Sequence, residues 1–174
     1  MSDYWRPRAN LNYYNVARSM VYRHCQGGTL LDVGGAVGLG CKYLSEYHGF
    51  DKTSVELSGG THTLPDVRVI QADFLKWSQV VAPVASYDAV ICLQVLEHLE
   101  DPRSFAAQLF LLARKVVVIS VPYQWLPGEC PGHVQDPVDR VKLQSWTRRT
   151  CFDAQIVDRR LVACYPMGEA QHGD

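Results

Sequence analysis

The sequence predicts an open α/β sheet of about seven strands, mostly parallel with the last antiparallel, covered by helices on both faces. Three observations carry this. The runs Tyr87–Leu93 and Lys115–Val121 are almost continuously apolar, as central parallel strands buried on both faces must be. The run Thr29–Val33 gives way at once to a glycine cluster and then to a helical pattern, the order in which a strand feeds a ligand-binding turn. Strands and helices alternate through the middle of the chain, which calls for crossovers rather than a meander.

Each element follows from local pattern. Residues 1–27 read as a polar tail and a helix whose apolar positions Leu11, Tyr14, Ala17, Met20 and Val21 recur at helical spacing, closed by Gly27-Gly28. Residues 28–122 form the core. The first strand is Thr29–Val33, and the helix after the glycine turn stops at Gly49. A second strand lies near Thr53–Leu57, then Ser58-Gly59-Gly60 breaks the chain, and the third strand is Val67–Gln71, too near for a full crossover helix. Asp73–Val81 holds a turn of helix before the strand Tyr87–Leu93. Asp101-Pro102 is an N-cap and N1 pair opening a helix with Phe105, Leu109 and Leu112 on one face. After the fifth strand, residues 123–150 carry a Pro/Gly loop and a helix whose cap signal is Asp136-Pro137. Residues 151–166 hold two strands so closely joined that they form an antiparallel hairpin. One domain of 174 residues accounts for all of this.

Composition narrows the class. The formal net charge is −1 with no long basic block, which argues against nonspecific nucleic-acid binding. Six scattered cysteines without a Cys-x-x-Cys pair read as reduced thiols of a cytoplasmic protein. No apolar run approaches membrane-spanning length. A monomer or homodimer acting on a small molecule is the expectation.

The glycine stretch selects its ligand by charge. The dinucleotide spacing G-x-G-x-x-G fails in every register, since it meets Ala36 and Leu39 from Gly34, and Tyr43 from Gly38. What fits is Asp32-x-Gly34-x-Ala36-x-Gly38, with Gly35 inside the turn. A carboxylate at the strand end repels a pyrophosphate and attracts an ammonium group, while the turn's N–H groups suit a carboxylate. An amino acid joined to a nucleoside meets both demands, and S-adenosylmethionine is that molecule. The stretch resembles motif I of the Rossmann-like (class I) S-adenosylmethionine-dependent methyltransferases, from which it departs at Ala36, where that family usually has Gly.

The other strand ends agree. Glu56 lies 18 positions beyond Gly38, close to the ~20 expected for an acid accepting both ribose hydroxyls. Asp73 accepts the adenine amino group or caps the next helix, and Phe74 lies against the ring. The segment Leu93-Gln94-Val95-Leu96-Glu97-His98-Leu99, leading to Asp101-Pro102, resembles the Glu-His-Leu hallmark after strand four of small-molecule members of the same family. The resemblance covers Thr29 to Pro122. It implies cofactor binding by Asp32, Gly34, Gly35, Gly38, Glu56, Leu57, Asp73 and Phe74, with Leu93 and Gln94 facing the methionine part.

The implied reaction is in-line displacement at a sulfonium methyl, for which alignment does most of the work. A base is needed only where the acceptor loses a proton. The candidates are His133 and His98, with His48 and His62 behind them. His133 sits in a Gly-His pair of the kind that related small methyltransferases carry near the acceptor, and a structural loop histidine is the alternative. Tyr13, Tyr14, Tyr123 and Trp125 are candidates to close over the site, where rings favour a sulfonium. Cys130-x-x-His133 has no second pair to complete a zinc site, so no metal is expected. The leading function is methyl transfer to an O or N atom of a small molecule, a sugar or natural-product intermediate. No Asn-Pro-Pro-Tyr-type segment follows strand four, which disfavours nucleobase and glutamine targets. The rivals are a catalytically silent subunit of the same fold, binding cofactor or a protein partner, and an NAD-dependent oxidoreductase, which the glycine spacing opposes.

Overall fold

A computed structural model describes residues 11–35, 39–57, 65–81 and 83–168, with backbone alone for 39–42 and 81. Ala36, Gly38, His62 and the connection around Ser58-Gly59-Gly60 lie outside the described residues. The strands are β1 (Gly28–Val33), β2 (Phe50–Glu56), β3 (Val67–Gln71), β4 (Tyr87–Leu93), β5 (Ala113–Pro122), β6 (Asp153–Val157) and β7 (Arg160–Pro166). The helices are α1 (Asn12–His24), α2 (Phe74–Val81), α3 (Pro102–Leu112) and α4 (Arg140–Thr147), with 3₁₀ segments at Leu39–Glu46 and Leu96–His98. One sheet runs β3-β2-β1-β4-β5-β7-β6. All its pairings are parallel except those of β7, which is antiparallel to both neighbours. The expected Rossmann-like sheet is therefore present.

Side-chain alternation builds two cores. Leu31, Val33, Val90, Cys92, Val117 and Ile119 point to the face covered by α2, α3 and α4, where Phe105, Leu109 and Leu143 meet them. Leu30, Ala89, Ile91, Val116 and Val118 point to the other face, under Ala17, Met20 and Val21 of α1, Leu44 of the first 3₁₀ segment and Tyr47 just after it. Asp32 has the parity of Leu30, and Ser54, its register partner, lies beside it on β2. The alternation thus commits a carboxylate to the α1 face of a nearly apolar sheet.

Several boundaries differ from expectation for local reasons. The segment after the glycine turn is 3₁₀ rather than α-helical. On α1, Tyr13 rather than Tyr14 takes the fully buried position, and the helix ends at His24, before Gly27. β2 begins at Phe50, because Gly28–Val33 pair with the whole of Phe50–Val55. Asp136 does not cap α4. Asp139 does, its Oδ1 accepting the Lys142 N–H at 2.8 Å, while Asp136 turns to His133. Asp101 caps α3 as expected, accepting from the N–H groups of Arg103 and Ser104. The β6–β7 hairpin turns on Asp158 and Arg159, both left-handed at φ 50° and 57°, the backbone of a type I′ turn made without glycine.

Leu109 is fully buried between α3 and the sheet. Leu109→Ala is expected to lower the unfolding free energy by about 2–5 kcal/mol in urea titrations, the range for a large-to-small core change. A wild-type midpoint and slope would contradict this packing.

Candidate functional site

In a parallel sheet the carboxyl ends of the strands share one edge, and the site is built there. β1 leaves the sheet through Gly34, whose φ of +75° is readily open to glycine alone. Its N–H donates to the Val55 carbonyl at 2.9 Å, so the turn stays tied to β2. Two walls exclude side chains. A Cβ on Gly34 would stand 2.5 Å from Val95, and one on Gly35 would stand 1.6 Å from Asp32 Oδ2. The turn is therefore pressed between its own carboxylate and the segment leaving β4.

Asp32 is completely buried. Tyr43 Oη donates to its Oδ1 at 2.7 Å and Ser54 Oγ to its Oδ2 at 3.2 Å. Burial raises its pKa to about 6, against the pull of these two hydrogen bonds, so the group is mostly ionised at neutral pH. The expected open charge at the strand terminus is instead an enclosed one, which holds the turn from beneath. Tyr43, not singled out from the sequence, stacks on Tyr14 at 4.5 Å, and Tyr14 meets Tyr13 at 4.1 Å.

Glu56 ends β2 on the same face as Ser54, 7% exposed. Its Oε1 is buried and has no hydrogen-bond donor among the described residues. Burial and then the charge of Asp32 raise its pKa to about 8. Leu57 beyond it is 76% exposed. Asp73 is exposed and accepts the Lys76 N–H at 3.2 Å, so it does cap α2. Phe74 differs from expectation: it is buried in the α3-side core, 4.7 Å from Phe105, and packs there rather than lying open to a ring ligand. Leu93 is buried at the end of β4. Gln94 follows at φ +61°, a left-handed residue pinned by its N–H to the Ser120 carbonyl and its Nε2 to Ser120 Oγ.

The second half of the site joins the β4 exit to the loop after β5. The Glu97 carbonyl accepts from the N–H groups of Val134 and Gln135, which fastens the loop beside the Glu-His segment. His133 and His98 come together, ring centroids 4.6 Å apart. His133 Nδ1 lies 2.7 Å from Asp136 Oδ2, with both side chains almost wholly buried. His98 Nδ1 lies 3.0 Å from the Gly132 carbonyl. Trp125 stacks on His133 at 5.5 Å, and Arg160 lies over both Trp125 and Tyr13. Three of the four expected acceptor-side aromatics, Tyr13, Tyr14 and Trp125, thus stand in one series from the Asp32 turn to His133. Tyr123 packs instead against the α3-side core. His48 is exposed on the chain between Glu46 and β2, its carbonyl accepting from Tyr22.

Sequence reasoning missed Glu97 and Asp136. Glu97 is fully buried, and neither of its side-chain oxygens has a hydrogen-bond partner among the described residues. In the sequence, His98 stands out because histidine titrates near neutral pH, while a Glu beside it has an ordinary reading as a solvated acid. Asp136 was hidden by the proline after it, which suggested a helix cap. The signal that could have found it is the i, i+3 spacing from His133 within one loop. Among the described residues no helix is long and apolar enough to cross a membrane.

Comparison with known proteins agrees with this geometry. A family model described as "Methyltransferase domain" matches residues 4–153. No curated protein matches in sequence. Among solved structures, the Burkholderia thailandensis 1,6-didemethyltoxoflavin-N1-methyltransferase, bound to 1,6-didemethyltoxoflavin and S-adenosylhomocysteine, superposes with a TM-score of 0.73 at 19% identity, covering 96% of this chain and 83% of that one. A SAM-dependent methyltransferase from Aquifex aeolicus gives 0.68 at 14%, covering 91% and 90%. A chain of the Haloferax volcanii complex between the Trm112 methyltransferase activator and a methyltransferase gives 0.65 at 12%, covering 93% and 95%. At these identities the likeness establishes the fold.

Glu56 makes the electrostatics testable. Its folded pKa, about 8, lies above the ordinary 4.5. Between those values the folded state keeps a proton that the unfolded chain has lost, so this group's contribution to stability falls as pH rises through that window. Asp32 adds a smaller fall of the same sign, complete by about pH 6. Glu56→Gln is expected to match wild type in melting temperature near pH 4.5 and to exceed it by several degrees near pH 8.5. A wild type that melts higher at the alkaline end would contradict the assignment.

Proposed function

This chain belongs to the methyltransferase-domain family, and from that premise we propose that it moves the methyl group of S-adenosylmethionine to an oxygen or nitrogen atom of a small molecule. The observation that carries the reading is the pairing, on one sheet edge, of a buried acceptor lacking a donor with a buried, carboxylate-oriented imidazole. Glu56 Oε1 lacks the hydrogen bond that a ribose hydroxyl would donate. The described residues therefore fit the cofactor: Glu56 would take the ribose, the backbone of Gly34 and Gly35, held by Asp32, would take the aminoacyl part, and Leu93 and Gln94 would flank the methionine chain. Asp73 and Leu57 border the adenine. When bound, S-adenosylmethionine supplies an electrophilic methyl carbon.

The chain's own work is alignment and proton handling. Asp136 accepts the Nδ1 proton of His133 and so holds the ring in one tautomer with Nε2 carrying the lone pair. That leaves the imidazole suited to relieve a hydroxyl or ring N–H of its proton as the methyl bond forms. Tyr13, Tyr14 and Trp125 supply ring surface on the acceptor side, where an apolar wall keeps water away and favours a positive sulfonium. The methyltransferase that binds 1,6-didemethyltoxoflavin, a small heterocycle, on the same fold supports an acceptor of that size.

The test is turnover. Incubation with S-adenosylmethionine and a panel of small hydroxyl and ring-nitrogen acceptors is expected to release S-adenosylhomocysteine with at least one of them. His133→Ala is expected to lower kcat by ~10² or more while leaving S-adenosylhomocysteine affinity within a factor of about three. Tight cofactor binding with no turnover on any acceptor would favour the silent subunit instead.

A further inference from the structure

We propose that Glu97, His98 and His133 form a binding site for a divalent transition-metal ion, placed on the acceptor side of the cofactor pocket. One ligand atom from each residue lies within 4.8 Å of the others. Two imidazoles and one carboxylate are a recurrent donor set for zinc and manganese-class ions, with further coordination positions left for water or substrate.

Two features favour a cation here over a set of ordinary polar contacts. The first is the tautomer of each ring. A backbone carbonyl only accepts, so His98 donates Nδ1–H to the Gly132 carbonyl and carries its lone pair on Nε2. His133 donates Nδ1–H to Asp136 and likewise carries its lone pair on Nε2. Hydrogen bonds of this kind, to a carbonyl and to a carboxylate, are what orients metal-bound histidines. The second is Glu97. It is 0% exposed, and both side-chain oxygens lack a donor among the described residues, an arrangement that costs free energy unless a proton or a cation meets it. Beside it, the Asp136 Oδ1 is also buried without a donor among the described residues.

The site deepens the proposed function and, in its catalytic use alone, rests on it. An ion there would coordinate an acceptor oxygen and lower the pKa of a hydroxyl, whose proton then leaves to water before the oxygen takes the methyl group. In the metal-loaded protein His133 Nε2 would be a ligand and the proton would go to water, so the base role of His133 belongs to the metal-free protein. The acceptor class this selects is a hydroxyl compound, better still one with a second oxygen in chelating reach.

The experiment uses the full chain, stripped with chelator and titrated with Mn²⁺ by electron paramagnetic resonance and with Zn²⁺ by competition against a chromophoric chelator. One equivalent of either ion is expected to bind. Glu97→Gln and His98→Ala are each expected to weaken binding at least tenfold, and Asp136→Asn to weaken it by ~10–100-fold through the His133 ring. Cys130→Ser, which removes the nearby thiol, is expected to leave Mn²⁺ binding unchanged. S-adenosylhomocysteine affinity, measured on every variant, reports whether the fold survives and tests the cofactor reading separately. No Mn²⁺ or Zn²⁺ binding at millimolar metal by a wild type that binds S-adenosylhomocysteine would overturn the site. So would binding that survives both Glu97→Gln and His98→Ala but is lost in Cys130→Ser.

Discussion

The structure depends on one buried carboxylate. Asp32 sits inside the α1 face of the sheet because strand alternation puts it there, and the fold accepts it only by surrounding it. Tyr43 and Ser54 donate to it from the next segment and the next strand. Gly35 lies so close that no side chain fits between them. An unpaired charge in that position would cost several kcal/mol, so the hydrogen bonds and the bare backbone are obligatory. They also fix where the chain leaves β1, and hence where any ligand meets the backbone of the turn. The same charge reaches Glu56 and raises its pKa, so the two acids at the strand ends act as a unit.

From that turn a series of contacts runs to the far side of the site. Tyr43 leads to Tyr14, Tyr14 to Tyr13, Tyr13 to Arg160, Arg160 to Trp125, and Trp125 to His133. Elements from both ends of the described chain contribute, since α1 supplies the tyrosines and the β6–β7 hairpin supplies the arginine. The Tyr13 N–H donates to Asp158 in the hairpin turn, which joins those two elements directly. The sheet thus provides the edge, while α1, the loop after β5 and the hairpin together provide a wall over it. Asp32, Glu56, Glu97 and Ser120 are buried along that edge, while Lys52, Asp88 and Thr147 are buried away from it.

How much of this was legible depended on range. Elements set by local pattern were readable: the third and fourth strands match residue for residue, and Asp101 caps α3 as its sequence context implies. The strand-end acids Asp32 and Glu56 were readable because parallel strands must present their termini on one edge. What escaped was long-range. That Asp32 is enclosed required Tyr43 and Ser54, which nothing local ties to it. Phe74 reads equally as a ring platform and as core, and only Phe105, from α3, decides. Asp136 has a strong local alternative as a cap, and the competition is settled by Asp139 three residues later. Glu97 carries no periodic signal at all. Its burial follows from the loop after β5 folding back to bond its carbonyl.

Proton release on cofactor binding, measured by isothermal titration calorimetry in buffers of different ionisation enthalpy at pH 7, tests the central claim most directly. Accepting both ribose hydroxyls uses both Glu56 oxygens as acceptors, which the carboxylate offers and the acid does not, and in the free protein burial raises that group to about 8, so it is mostly protonated at pH 7. S-adenosylhomocysteine is therefore predicted to expel about one proton from the wild type and to lose that release in Glu56→Gln. Binding without proton release, or the same release from both proteins, would contradict the account.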